Sequence, residues 1–105
     1  MTEVGRIVKF TALEGEGDAL ASGLLDVAAG MAGVDGCSLY LISRSAGDAD
    51  VVWVLERWES QQHVEDALAR PAAREQIPQI LGYLKPDGFE RFELEPLGGF
   101  SAETR

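Results

Sequence analysis

The stretch Asp50-Val51-Val52-Trp53-Val54-Leu55-Glu56-Arg57-Trp58-Glu59-Ser60 decides the fold. Val51, Trp53 and Leu55 alternate with Val52, Val54, Glu56 and Trp58, the period of two that a β-strand imposes. Both sets are largely apolar, which is the pattern of a strand covered on both faces. Ser60 ends the run, and its hydroxyl can accept from the open N–H groups of a following helix. A strand over 50–58 therefore leads into a helix whose apolar side carries Val64, Ala67 and Leu68.

Upstream, Ala46-Gly47-Asp48-Ala49-Asp50 is a turn of small and polar residues, so a strand over 37–43 pairs with 50–58 as a hairpin. Alternation puts Cys37, Leu39 and Leu41 on one face of that strand, and Tyr40 and Ile42 on the other. Further back, Leu20, Leu24, Val27, Met31 and Val34 form one apolar stripe, predicting a helix over 18–32. Asp18 suits its first turn, and Asp35-Gly36 ends it. A first strand over 4–11 places Val4, Arg6, Val8 and Phe10 on one face and Ile7, Lys9 and Thr11 on the other; Gly15 and Gly17 break the pattern.

Downstream, Pro71 interrupts the helix after Ser60. A second helical piece carries Ile77, Ile80, Leu81 and Leu84, with Pro78 kinking it or starting its last section. Lys85-Pro86-Asp87-Gly88 reads as a turn, 89–94 as the fourth strand and 97–105 as a mobile tail. The order strand, helix, strand, strand, helix, strand predicts an α+β, ferredoxin-like split βαβ domain with an antiparallel sheet, one domain over 1–105 with its core in 4–96. Helices on one face leave the other sheet face bare. A second copy of the chain is the simplest cover, so a homodimer is expected.

The 105 residues carry a net charge of −9 and are 46% hydrophobic, which suits one packed core and excludes a disordered acidic chain. The charge argues against nucleic acid as a partner. No run of apolar residues is long enough to span a membrane, and no signal-peptide core begins the chain. The single cysteine, Cys37, excludes an intrachain disulfide and suits a reducing cytoplasm; it reads either as a reactive thiol or as a small buried residue. One Cys and one His cannot build a structural zinc site, and the Glu14, Glu16, Asp18 run lacks the spacing of a calcium loop, so no metal is expected.

The Glu56-x-Trp58-x-Ser60 strand end resembles that of the antibiotic biosynthesis monooxygenase (ABM) family. Asp35-Gly36-Cys37-Ser38-Leu39-Tyr40 is similar to the family's Pro-Gly-Cys-x-x-Tyr start of strand two, with Asp35 in place of Pro, and the Leu13-Glu14-Gly15 turn also fits. The likeness spans about residues 4–96. It implies a dimeric α+β barrel with a pocket between sheet and helices in each subunit. It implies cofactor-independent oxidation of an aromatic, phenolic or quinol-like small molecule by dioxygen. Relatives degrade haem, isomerise small metabolites or have no assigned activity, so a non-catalytic binding or accessory domain and an isomerase stand as alternatives. Where many members carry a helical His nine residues past the Trp, this chain has Ala67, and it has no asparagine, which some members use in strand one.

Such chemistry needs an apolar enclosure, a proton acceptor and donors for the resulting anion. Trp58 reads as an anchor for an aromatic ligand or as a core residue at a strand end. His63, the only imidazole, is the candidate base or an exposed helix-terminal residue. Tyr83 and Tyr40 are candidate donors to a phenolate or quinone oxygen, or core-edge residues with wet hydroxyls. Ala67 is assigned to the substrate wall through its family position. Arg57, beside Glu56 and Glu59, reads as an attractor of an anionic substrate or as a solvated charge.

Overall fold

A computed structural model describes residues 2–100. Its elements are β1 (Val4–Ala12), α1 (Gly17–Met31), β2 (Cys37–Arg44), β3 (Val51–Trp58), α2 (Gln61–Leu68), α3 (Pro71–Leu81) and β4 (Leu84–Leu94). The four strands form one antiparallel sheet in the order β2-β3-β1-β4, the split βαβ arrangement expected of an α+β ferredoxin-like fold. The β2–β3 hairpin and the α1 stripe of Leu20, Leu24, Val27 and Met31 take the places that periodicity assigns them, and all four stripe residues are buried. They pack on Val8, Phe10, Val52, Val54 and Trp58 to form the core. Of the expected tail, residues 101–105 lie outside the described residues. Residues 95–100 have no regular structure, and Leu97 and Phe100 are exposed.

Ser60 caps α2 as its sequence position demands, accepting from the His63 N–H at 3.3 Å. Pro71 opens α3 at its first turn, where a missing N–H costs nothing, while Pro78 sits inside the same helix. Capping of α1 comes from elsewhere. Asp50, at the end of the β2–β3 turn, accepts from the Gly15 N–H at 3.1 Å and the Gly17 N–H at 3.0 Å. Asp18 instead pairs with Arg44 at 2.9 Å on the surface. Asp50→Ala is therefore expected to lower stability by about 1–2 kcal/mol, read by urea denaturation, whereas Asp18→Ala costs less than about 0.5 kcal/mol. Equal losses would contradict the assignment of the cap.

Three expectations are corrected. Cys37 does not share the face of Leu39 and Leu41. A bulge between Cys37 and Leu39 inserts one residue, so Cys37 lies opposite Trp58 and joins Tyr40 and Ile42 against the core. The 85–88 segment does not precede the last strand but lies within it. β1 advances two residues from Phe10 to Ala12 while β4 spans five, and the excess bulges out with Asp87 at φ 60°. Finally, Leu84, read with the second helical piece, is instead the first residue of β4. The sheet face away from the helices is bare, as expected. Trp53 and Leu55 are half-buried, and with exposed Leu41, Phe92 and Leu94 they leave an apolar sheet face open. Among the described residues, no helix is long and apolar enough to cross a membrane.

Candidate functional site

Sheet and helices do not fill the space between them. A cavity of about 370 Å3 remains. Leu24, Val27 and Met31 of α1 wall one side, and Leu68, Ile77, Ile80 and Leu81 of α2 and α3 wall another, over a floor that includes Val8 and Phe10. Phe89 of β4 lines it too, edge-on to Phe10 at 5.5 Å between ring centroids.

The polar end is built by strand register. β2 sets Tyr40 opposite Glu56, and β1 sets Arg6 opposite the same residue, so three polar side chains share one row under the helices. Trp58 lies two residues beyond Glu56 and shares its face. Arg6 Nη1 donates to Glu56 Oε1 at 3.2 Å, and Trp58 Nε1 donates to the same oxygen at 2.8 Å. Arg6 is 8% exposed and Glu56 7%, so this is a buried ion pair.

Burial raises the Glu56 carboxyl above the usual glutamate range, against the Arg6 charge, the Trp58 N–H and the Arg91 charge that pull it down. Burial and then the Glu56 charge push the Tyr40 phenol well above its usual range, which leaves it a protonated donor at neutral pH. Arg6 Nε is buried and has no hydrogen-bond partner among the described residues. Arg91 lines the cavity with its side chain half exposed, 3.7 Å from Glu93. An acceptor carboxylate and buried donors thus face an apolar chamber. Such a set can take a proton from an enclosed molecule and hold the anion that results.

The cavity brings together Trp58 and Tyr40 of the residues singled out from sequence. The other three lie elsewhere. His63 sits at the start of α2, its Nδ1 2.7 Å from Ser60 Oγ, and faces a separate surface depression that Ala67 also lines. Ala67 is otherwise part of the core. Tyr83 lines a third depression with Asp26, Gln76 and Gln79. Arg57 is exposed and bonded to Glu3 at 2.7 and 3.0 Å. Burial pushes the Cys37 thiol up, away from thiolate reactivity, and its Sγ lies 3.6 Å from the Leu39 carbonyl. Sequence reasoning passed over Arg6 and Glu56. The signal was present: each is a charge at the core-facing parity of an otherwise apolar strand face, Arg6 among Val4, Val8 and Phe10, and Glu56 among Val52, Val54 and Trp58.

Known proteins agree with this architecture. A candidate antibiotic biosynthesis monooxygenase of Chloroflexus aurantiacus superposes with a TM-score of 0.82 at 27% identity, covering 95% of this chain and 98% of its own. Rv0793 of Mycobacterium tuberculosis has a TM-score of 0.83 at 23% identity, covering 95% and 100%. PA3566 of Pseudomonas aeruginosa has a TM-score of 0.83 at 19% identity, covering 93% and 97%. No protein of curated function matches the sequence. The sequence pattern of the family described as antibiotic biosynthesis monooxygenase matches residues 4–79, most of the chain, and the resemblance seen at Glu56-x-Trp58-x-Ser60 falls within that span. The chain belongs to the antibiotic biosynthesis monooxygenase family.

Proposed function

We propose that the cavity encloses an aromatic, phenolic or quinol-like small molecule and that the protein oxidises it with dioxygen without a cofactor. The observation that carries the reading is the buried Arg6–Glu56–Trp58 cluster at the end of an apolar chamber of about 370 Å3. Glu56 is the proton acceptor in this reading, placed where the substrate would sit, and it takes the role that the sequence suggested for His63. Arg6, whose Nε has no hydrogen-bond partner among the described residues, and Tyr40 hold the oxygen on which negative charge develops. Trp58 fixes the Glu56 carboxylate and walls the ring.

For an anthrone-like CH2 the balance closes. One C–H proton goes to Glu56, and the carbanion delocalises onto the ring oxygen. Its electron pair passes to dioxygen and a hydroperoxide forms. Loss of water leaves a C=O, so one oxygen atom ends in the product, the other in water, and no external reductant is required. The test is oxygen uptake by the purified protein over a panel of hydroquinones and anthrones. Ligand binding without turnover would favour a binding domain, and turnover without oxygen uptake would favour an isomerase; either ends the oxygenase reading.

The open apolar face of Leu41, Trp53, Leu55, Phe92 and Leu94 supports a homodimer closed across the two sheets. The single cysteine suits a place in the reducing cytoplasm. Sedimentation at micromolar concentration is expected to give twice the 11.3 kDa chain mass. Leu41→Lys, at a position 49% exposed in one chain, shifts the boundary toward the monomer. A wild-type monomer overturns the dimer.

A further inference from the structure

Away from the cavity, Asp35, Glu59 and His63 bring their ligating atoms within 4.8 Å of one another, and His63 Nε2 lies 3.5 Å from Asp35 Oδ2. Two donors of one tetrahedral zinc ion, each about 2.0–2.1 Å from the metal, stand about 3.4 Å apart. The His–Asp separation already has that value. Glu59 is exposed, and its carboxylate lies within 4.8 Å of the other two ligating atoms.

Three separate features hold the His63 ring against the carboxylates. The Glu59 N–H donates to the Gly36 carbonyl at 2.8 Å, tying the end of β3 to the turn that carries Asp35. Gly36 adopts φ 82°, and a Cβ there would overlap the His63 ring, so the turn admits the imidazole because it has no side chain. Ser60 Oγ lies 2.7 Å from Nδ1. A hydroxyl placed there can accept the Nδ1 proton of a metal-bound imidazole, the outer partner such a ligand uses. Two carboxylates and an imidazole nitrogen thus converge, on a chain of net charge −9. A divalent cation relieves the repulsion between the carboxylates. The depression beside them is about 450 Å3 and also holds Asp66 and Arg70, so access from solvent is open.

We propose that His63, Asp35 and Glu59 form a surface site for a divalent transition-metal ion of borderline softness, zinc in the first instance, with its remaining positions open to water. One imidazole and two carboxylates favour such an ion over magnesium, which keeps its own water and octahedral geometry. The site shares no residue with the cavity, so its failure leaves the proposed oxidation untouched.

The test is calorimetric titration of the metal-free full-length protein with zinc chloride, and in parallel with magnesium chloride. One zinc per chain is expected, with no magnesium response. His63→Ala is expected to weaken zinc binding by at least about tenfold, as losses around a metal site do. The Asp35→Asn, Glu59→Gln double variant, altered only at exposed positions, gives a comparable loss without a folding defect. On zinc addition, the His63 Nε2 nitrogen resonance shifts as for a metal-bound imidazole. Unchanged affinity in either variant, an unmoved Nε2 resonance, or no heat at about 0.1 mM zinc overturns the proposal.

Discussion

Glu56→Gln is expected to lower the rate of oxygen uptake by about 10²-fold or more, the size of the loss when a positioned base is removed. The substitution is nearly isosteric. A Gln carbonyl can still accept from Trp58 Nε1, which donates to Glu56 at 2.8 Å, so the chamber keeps its shape. What is lost is the capacity to take a proton. The pH profile carries the same signature with a definite sign. A base works only when ionised, and burial raises the Glu56 carboxyl above the usual glutamate range. Wild-type uptake therefore falls as pH drops through that raised pKa, earlier than an exposed glutamate would dictate, and Glu56→Gln has no such limb. Uptake within twofold of wild type, or a larger loss in His63→Ala than in Glu56→Gln, would move the chemistry out of the cavity.

Arg6→Met is the second large effect, and it appears in stability. Arg6 and Glu56 are both more than nine-tenths buried, and removing one partner strands the other charge, at a cost of about 3–5 kcal/mol at neutral pH. In the native protein desolvation already outweighs the Arg6 attraction, since the Glu56 pKa is raised, not lowered. A carboxyl whose folded pKa exceeds its unfolded value contributes stability below the unfolded pKa, and that contribution is lost as pH rises through the folded one. Without Arg6 the folded pKa climbs further. The deficit of Arg6→Met is therefore smaller at pH 5 than at pH 8, as measured by urea denaturation at each pH. Replacing both residues, Arg6→Met with Glu56→Leu, recovers most of the loss, because two desolvation costs vanish together. A deficit independent of pH would show that packing, not charge, sets the cost.

The same pair marks the boundary of what the sequence could disclose. Most elements followed from a local rule. The two-residue alternation around Trp53 gave a strand, the Leu20–Leu24–Val27–Met31 stripe gave a helix, and Ser60 gave a cap. Backbone geometry fixes those periods within a few residues, so no distant partner is needed to read them. The family motifs belong with them, because each lies in a short continuous stretch, at 13–15, 35–40 and 50–60.

The polar row, the cap of α1 and the bulges answer to distance in space. Tyr40, Glu56 and Arg6 meet because three strands align in one register, and Arg6 lies 50 residues from the carboxylate it bonds. A bulge of one residue turned Cys37 toward the core, and a wider one kept the 85–88 segment inside β4. Asp50, not the adjacent Asp18, caps α1, because the hairpin turn folds back onto it. The chain alone thus determined the order and kind of the elements, though not where β4 begins, through periods set by the backbone itself. Only the tertiary structure decided which charges are buried together, because one residue of slip between strands reverses every side chain that follows.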